Sequence, residues 1–394
     1  MPHKKAQWLL PEGIEELLPP QAQQFELLRR EILDHFSCWG YDLVMTPFIE
    51  YLDSLSILET SDLLSNTFRL NDQHGEKTMG IRADMTPQIA RVDTRYRQND
   101  APMRLCYLGT VLFAEANNSG SRSALQLGAE LFGDASIESD VEIIQLMLNT
   151  LQLTGISEIH LDLSHIAIFR ALAKEAELSK SQTETLFKLY QRKDIPGLAQ
   201  VLKTYPLANK YHQRFNQLIS LYGSTDVLNK ARQIFQETNQ QISAALDTIE
   251  AIIEIISISH PNVEIYIDLS ECQGYQFHTG VVFSAFTPGH GQEIARGGRY
   301  DHIGKNFGDA RQATGFSADL KTLVNIGNKI NKNNIDAIFA PKSDDPTLLV
   351  KINSLRKSGV RVIQQLSQMP YDEQANNCNK KLILIDNQWQ IMDI

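Results

Sequence analysis

Cysteine is scarce in this chain: Cys38, Cys106, Cys272 and Cys378 are the only four in 394 residues, and no two form a Cys-x-x-Cys pair. That argues against a zinc site or a disulfide framework and fits a reducing compartment, so a cytoplasmic location is expected. Long apolar runs are missing as well; none approaches the roughly 20 residues that a membrane-spanning helix needs. Near the N-terminus Lys4 and Lys5 precede Leu9-Leu10, but Pro11 and Glu12 interrupt the run at once, and no signal peptide is expected. Positive charge is in deficit, with 37 Lys and Arg against 47 Asp and Glu and a net charge of −10. Nucleic-acid binding rests on neutralising phosphates with Lys and Arg, so this balance disfavours a tRNA partner, although solubility alone also accounts for an acidic chain.

What is present reads as several kinds of texture. Phe25, Leu28, Ile32 and Phe36 recur at helical spacing, which predicts an amphipathic helix over 21–36 that Gly40 ends. Tyr41 to Pro47 reads as a strand stopped by its proline. Residues 103–115 and 124–132 read as neighbouring strands joined by the polar turn Asn117-Asn118-Ser119-Gly120-Ser121, with a helix following through Val141–Leu151. Residues 165–258 are helix-rich, with few glycines and many Gln and Lys. Strand signals return at Glu264–Leu269 and Val281–Phe286, then a Gly-rich turn is expected at Arg296–Tyr300 and a helix at Ala318–Ile326. After a polar linker, 327–334, a small tail predicts strands at Ile335–Ala340, Val360–Gln364 and Leu382–Asp386 and a helix at Thr347–Lys357. Strands interrupted by a helical insertion predict an α+β core with appendages.

Three segments carry candidate chemistry. Ile81-Arg82-Ala83-Asp84-Met85-Thr86-Pro87-Gln88 turns from strand to helix; Thr86 suits the N-cap and Pro87 the first helical position, so capping alone explains it. Its other reading presents the Asp84 carboxylate and the Thr86 hydroxyl to a ligand. In the strand around Gly128, alternation puts Gln126, Gly128 and Glu130 on one face and Leu125, Leu127, Ala129 and Leu131 on the other. That polar face is either a solvent-exposed edge or a floor that a small molecule approaches closely. Arg296-Gly297-Gly298-Arg299-Tyr300-Asp301 combines two permissive glycines with side chains able to reach into a pocket.

Taken in this order, the segments resemble histidyl-tRNA synthetase, a class II aminoacyl-tRNA synthetase, from roughly residue 10 to residue 325. Glu16-Leu17-Leu18-Pro19 and Thr46-Pro47-Phe48-Ile49-Glu50 are similar to that family's opening and first motif. Tyr107-Leu108-Gly109 through Gly133 resembles its second motif, Gln273–His278 its histidine-specific segment, and Gly297–Asp301 its Gly-Gly-Arg-Tyr-Asp. The resemblance implies a class II aminoacyl-tRNA synthetase-like antiparallel sheet flanked by helices. The core is expected over 1–326 with the helical insertion at about 165–258, and a small α/β C-terminal domain over 327–394.

The departures bear on function. Amino-acid activation needs fixed cations around the triphosphate and the developing charge. By resemblance, the family's three arginines fall here on Phe113, Gln273 and Thr322, all uncharged. Loss of even one such group commonly costs about two to three orders of magnitude in rate. The tail is also shorter than the synthetases' anticodon-binding domain. The amino-acid pocket is expected to survive: Asp84, Thr86 and Gln126 match positions that hold the α-ammonium of histidine, and Glu130 and Tyr300 match positions that meet its imidazole. His278 stands where the family has a pocket tyrosine, and Asp84 is one methylene shorter than the family's glutamate.

This pattern of loss resembles the regulatory subunits of short-form ATP phosphoribosyltransferase, which opens histidine biosynthesis. The resemblance implies no catalysis, cofactor or metal of the chain's own. It implies a short catalytic subunit as partner, histidine as regulatory ligand, and a homodimer within a hetero-octamer. Two alternatives stay open: a divergent class II amino-acid ligase that uses Arg82, Arg104, Arg122 or Arg299 instead, and a synthetase-like sensor serving another partner such as a kinase.

Overall fold

The computed structural model describes residues 9–55, 65–72, 75–116, 120–236, 240–271, 277–303, 308, 311–327, 337–366 and 378–394. Met1–Lys329 make one compact unit and Ile330–Ile394 a second. The first opens with helix α1 (Gln21–Cys38), which buries Phe25, Leu28, Ile32 and Phe36. Gly40 ends it at φ 81°, where Tyr41 N–H donates to Phe36 O at 3.1 Å and Gly40 N–H to Ser37 O at 3.0 Å, so the terminal carbonyls are satisfied.

There follow β1 (Asp42–Leu43), β2 (Ile49–Tyr51), α2 (Leu52–Leu55), β3 (Phe68–Asn71), β4 (Thr78–Ile81) and α3 (Thr86–Tyr96). Next come β5 (Met103–Leu112), β6 (Ser123–Phe132), α4 (Ile137–Leu153) and β7 (His160–His165). The helical insertion contains α5 (Ile166–Glu175), α6 (Lys180–Gln191), α7 (Ile195–Leu202), α8 (Asn209–Leu218), the two-residue β8 (Tyr222–Gly223), α9 (Val227–Ile234) and α10 (Gln240–Ser259). The chain then returns to the sheet through β9 (Glu264–Asp268), β10 (Val281–Phe286), β11 (Ala295–Arg299) and β12 (Ala313–Asp319), and α11 (Leu320–Ile326) closes the unit.

Among the described residues, nine strands form one sheet in the order β1-β5-β6-β12-β11-β10-β7-β9-β8. The run from β5 to β7 is antiparallel throughout, while β1 joins β5 and β9 joins β7 in parallel, and β8 closes antiparallel on β9. A separate three-stranded sheet, β2-β4-β3, leads straight into α3. Helix α4 buries Val141, Ile143, Ile144, Leu146, Met147, Leu148 and Leu151. That pattern, apolar on most of its circumference, belongs to a helix covered on several sides.

Three local readings of the sequence give way. The strand expected over 41–47 is only a two-residue ladder, because the carbonyl of Thr46 accepts from the Arg82 guanidinium at 2.9 Å and Pro47 has no N–H to offer. Arg296–Tyr300 is not a turn: β11 runs through the middle of the sheet, and neither Gly297 nor Gly298 has a positive φ. These glycines serve close packing, since a Cβ on Gly297 would strike the Gly315 carbonyl and the Phe283 ring. Ala318 and Asp319 belong to β12, and the helix expected from 318 starts at Leu320 with Asp319 as its cap.

The second unit comprises β13 (Ala337–Ala340), α12 (Pro346–Lys357), β14 (Arg361–Gln364), β15 (Lys380–Ile385) and β16 (Gln388–Asp393), paired in the order β14-β13-β15-β16. Strand β16 was not anticipated. Its signal is the two-residue turn Asp386-Asn387, both at positive φ, of the kind that closes tight hairpins.

Candidate ligand-binding site

Strand β6 lies inside the sheet between β5 and β12, so its polar face is not a solvent edge. The face carries Gln126, Gly128 and Glu130 inward, and Glu130 is 1% exposed. Three hydroxyls converge on that carboxylate. Thr86 Oγ1 and Tyr107 Oη each donate to Oε1 at 3.0 Å, and Tyr300 Oη donates to Oε2. Burial dominates its acidity and pushes it up to about 8; the hydroxyls pull the other way, and Asp84 adds to the rise. Burial and the neighbouring Glu130 likewise hold the Tyr107 and Tyr300 phenols well above their ordinary range.

Toward the surface stands a second polar station. Asp84 Oδ1 accepts from Gln126 Nε2 at 2.8 Å and from Thr86 N–H at 3.0 Å, while Gln126 Oε1 accepts from Met85 N–H at 2.9 Å. Helix α3 therefore starts at Thr86, with Asp84 rather than the Thr86 hydroxyl meeting its first N–H. The hydroxyl is released to Glu130. Both carboxylates are thus bonded to one threonine and lie within an amino acid's reach of each other.

Aromatic and glycine residues pack around this polar cluster. Phe277 stacks on Tyr300 with centroids 4.9 Å apart, and Phe132 meets Tyr300 edge-on. A Cβ on Gly128 would overlap Tyr107 Oη, and one on Gly315 would overlap Glu130 Oε2, so the two glycines make room for the polar cluster. The structure brings together Asp84, Thr86, Gln126, Glu130 and Tyr300 among the residues singled out from sequence. His278 stands beside Gly298, its ring 5.2 Å from that of Phe277. Gln273 lies outside the described residues. Tyr107 was missed as a site residue, although its place opposite Gly128 in the β5–β6 register was a usable signal.

Residues 13–323 match the histidyl-tRNA synthetase family, and residues 335–392 match the ATP phosphoribosyltransferase subunit HisZ C-terminal domain. The ATP phosphoribosyltransferase regulatory subunit of Thioalkalivibrio sulfidiphilus is 46% identical over 389 residues, covering 98% of both chains. That of Pseudomonas entomophila is 45% identical with the same coverage. The chain belongs to the ATP phosphoribosyltransferase regulatory subunits. A solved regulatory subunit/histidyl-tRNA synthetase from Bacillus halodurans superposes with a TM-score of 0.83 at 26% identity, covering 96% of this chain and 98% of that one. The histidyl-tRNA synthetase of Nostoc sp. PCC 7120 gives 0.80 at 18% identity, covering 99% and 95%, and speaks for the fold alone. The fold is the class II synthetase-like α+β core that the motifs implied.

A regulatory subunit of this family has no activation chemistry to perform, and the side chains at the two altered positions among the described residues have other work. Phe113 packs against the apolar cluster of Met85, Ile89 and Tyr107. Thr322 Oγ1 donates to Asp319 Oδ2 at 2.9 Å within the first turn of α11. The four arginines that could have substituted are engaged as well. Arg104 holds both oxygens of Glu142 at 2.7 and 2.8 Å. Arg122 donates to the Phe113 carbonyl at 3.2 Å and lies 4.6 Å over the Phe68 ring. Arg299 is buried against Asp140, the Ser139 hydroxyl and the carbonyls of Asp134 and Ser136. Arg82 is spent on Thr46 and Thr110.

Proposed function

We propose that this regulatory subunit senses histidine in the Glu130 pocket and passes its state to a short ATP phosphoribosyltransferase catalytic subunit. The observation that carries the reading is the pair of carboxylates on Thr86. Glu130 is buried among hydroxyls and suits a ring N–H, while Asp84 and Gln126, half-buried nearer the surface, suit an α-ammonium. Tyr300 and His278 complete the imidazole end. A ligand with an ammonium at one end and a ring N–H at the other satisfies both stations.

On this reading histidine binds two conformational states with different affinity, and the partner's turnover follows the balance between them. Two copies pair through the segment around Thr46–Glu50, and the pairs assemble with catalytic subunits into a cytoplasmic hetero-octamer. Titration calorimetry of the full chain with histidine, alone and mixed with the short transferase, tests the sensor role. Heat is expected, together with altered transferase turnover on mixing. Absence of heat under both conditions removes the sensor role. Formation of histidyl-adenylate, read as ATP–pyrophosphate exchange, would instead favour a divergent ligase.

A further inference from the structure

We propose that helix α3 is a relay which couples occupancy of the Glu130 pocket to the conformation of the exposed apolar segment Leu43–Tyr51. The inference rests on the reading of the pocket as a histidine site and adds a route by which the pocket's state reaches the segment through which two copies are proposed to pair, exposed in the single chain.

One end of the relay is in the pocket. Thr86, the first residue of α3, donates to Glu130 Oε1, and Asp84 accepts the Thr86 N–H. A ligand ring N–H that bonds Glu130 competes for the oxygens the hydroxyls now hold, and a ligand ammonium competes for Asp84. Either exchange acts on the first turn of α3.

The other end grips β2. Gln88 Nε2 donates to Pro47 O at 2.8 Å and to Glu50 Oε1 at 2.7 Å, while its Oε1 accepts from Thr46 Oγ1 at 2.7 Å. The Arg91 guanidinium takes both oxygens of Glu50, with Nη2 at 2.5 Å from Oε1. The Glu50 side chain is 8% exposed, so this is a pair withdrawn from water, and breaking it leaves a charge without its partner. Arg82, two residues before Asp84, holds Thr46 from the other side through its carbonyl at 2.9 Å and its hydroxyl at 2.8 Å. The backbone offers a parallel connection: β4 pairs with β2, Glu50 opposite Gly80, and then runs directly into Asp84 and Thr86.

The six residues from Thr86 to Arg91, separated by five helical rises, span about 7.5 Å of helix. A packed half-helix bonded at Thr86 and again at Gln88 and Arg91 moves as one piece rather than deforming in between. The segment it holds is polar on its inner side and apolar on its outer side. Leu43, Met45, Phe48, Ile49 and Tyr51 are between 38% and 79% exposed, although the Glu50 side chain among them is only 8% exposed. A shift of α3 therefore re-aims a contiguous set of exposed apolar side chains.

The test is hydrogen–deuterium exchange of peptides spanning residues 43–51 in the full chain, with and without saturating histidine, beside calorimetry of the same samples. In the wild type, histidine should change exchange in this segment by about fivefold or more. Arg91→Met removes the grip on Glu50 at a side chain that is 23% exposed. That variant should keep the calorimetric heat and lose most of the exchange response. Gln88→Leu, on the same clamp, should behave alike. Heat in the wild type with no change at 43–51 overturns the relay and leaves the pocket standing. An undiminished response in both variants overturns it too. No heat in the wild type overturns the pocket reading, and the relay with it.

Discussion

At the scale of single residues, Glu130 combines burial with an unusual proton affinity. Its value of about 8 in the folded chain exceeds the ordinary 4.5, with burial as the principal cause. The sign follows from proton counts. Between those two values the folded state keeps a proton that the unfolded state has released, so raising the pH through that window favours unfolding. This contribution to stability is fully present below the ordinary value and is lost as pH climbs to about 8. At roughly 1.4 kcal/mol per unit, the loss across the window is of order a few kcal/mol. Glu130→Gln removes the titration while keeping an acceptor for the Tyr107 and Thr86 hydroxyls. Denaturant unfolding at a series of pH values should show the wild-type stability falling relative to the variant's through the window, a difference from which the titrations of Asp162 and His165, common to both chains, cancel. Parallel curves would mean that Glu130 does not carry the proton.

At the scale of elements, the sequence was most legible where periodicity met burial. The spacing of Phe25, Leu28, Ile32 and Phe36 foretold α1, and the alternation about Gly128 foretold which face of β6 would hold Gln126 and Glu130. Legibility failed where a residue's role comes from a distant neighbour. Gly297-Gly298 looked like a turn, yet it is a strand whose glycines admit the Gly315 carbonyl and the His278 ring, partners that lie apart in the sequence. Arg299 shows the same limit. It looked free to meet a ligand, but it ties β11 to the start of α4 through Asp140, Ser139 and two carbonyls. Burial of this pair makes one-sided removal costly, because Asp140 would keep its charge without a counter-ion. Arg299→Met should therefore destabilise the chain by about 3–5 kcal/mol. The measurement is chemical denaturation beside the double variant Arg299→Met/Asp140→Leu, in which much of that loss should return. A loss below 1 kcal/mol in the single variant would sink the structural role.

At the scale of the whole molecule, the pocket and the C-terminal unit divide cleanly along the chain. Every residue named above around Glu130 falls between Asp84 and Gly315, and among the described residues the nine-stranded sheet and α11 are complete by Ile326. The second unit has a core of its own, with Ile338, Leu348, Ile352, Val362 and Leu382 packed together and Phe339 buried on the other face of β13. If the proposed pocket reading holds and sensing belongs to the first unit, removing the second unit should alter histidine affinity by no more than about twofold, a difference of about half a kcal/mol. A chain ending at Gly327 should accordingly bind histidine as the full chain does and unfold in one cooperative transition. Calorimetry and thermal unfolding of that chain decide the matter. If the truncated chain folds but binds histidine more than tenfold more weakly, the pocket depends on the C-terminal unit and the division fails. If binding persists while the effect on the catalytic subunit's turnover disappears, sensing resides in the synthetase-like core and transmission to the partner requires the small C-terminal unit.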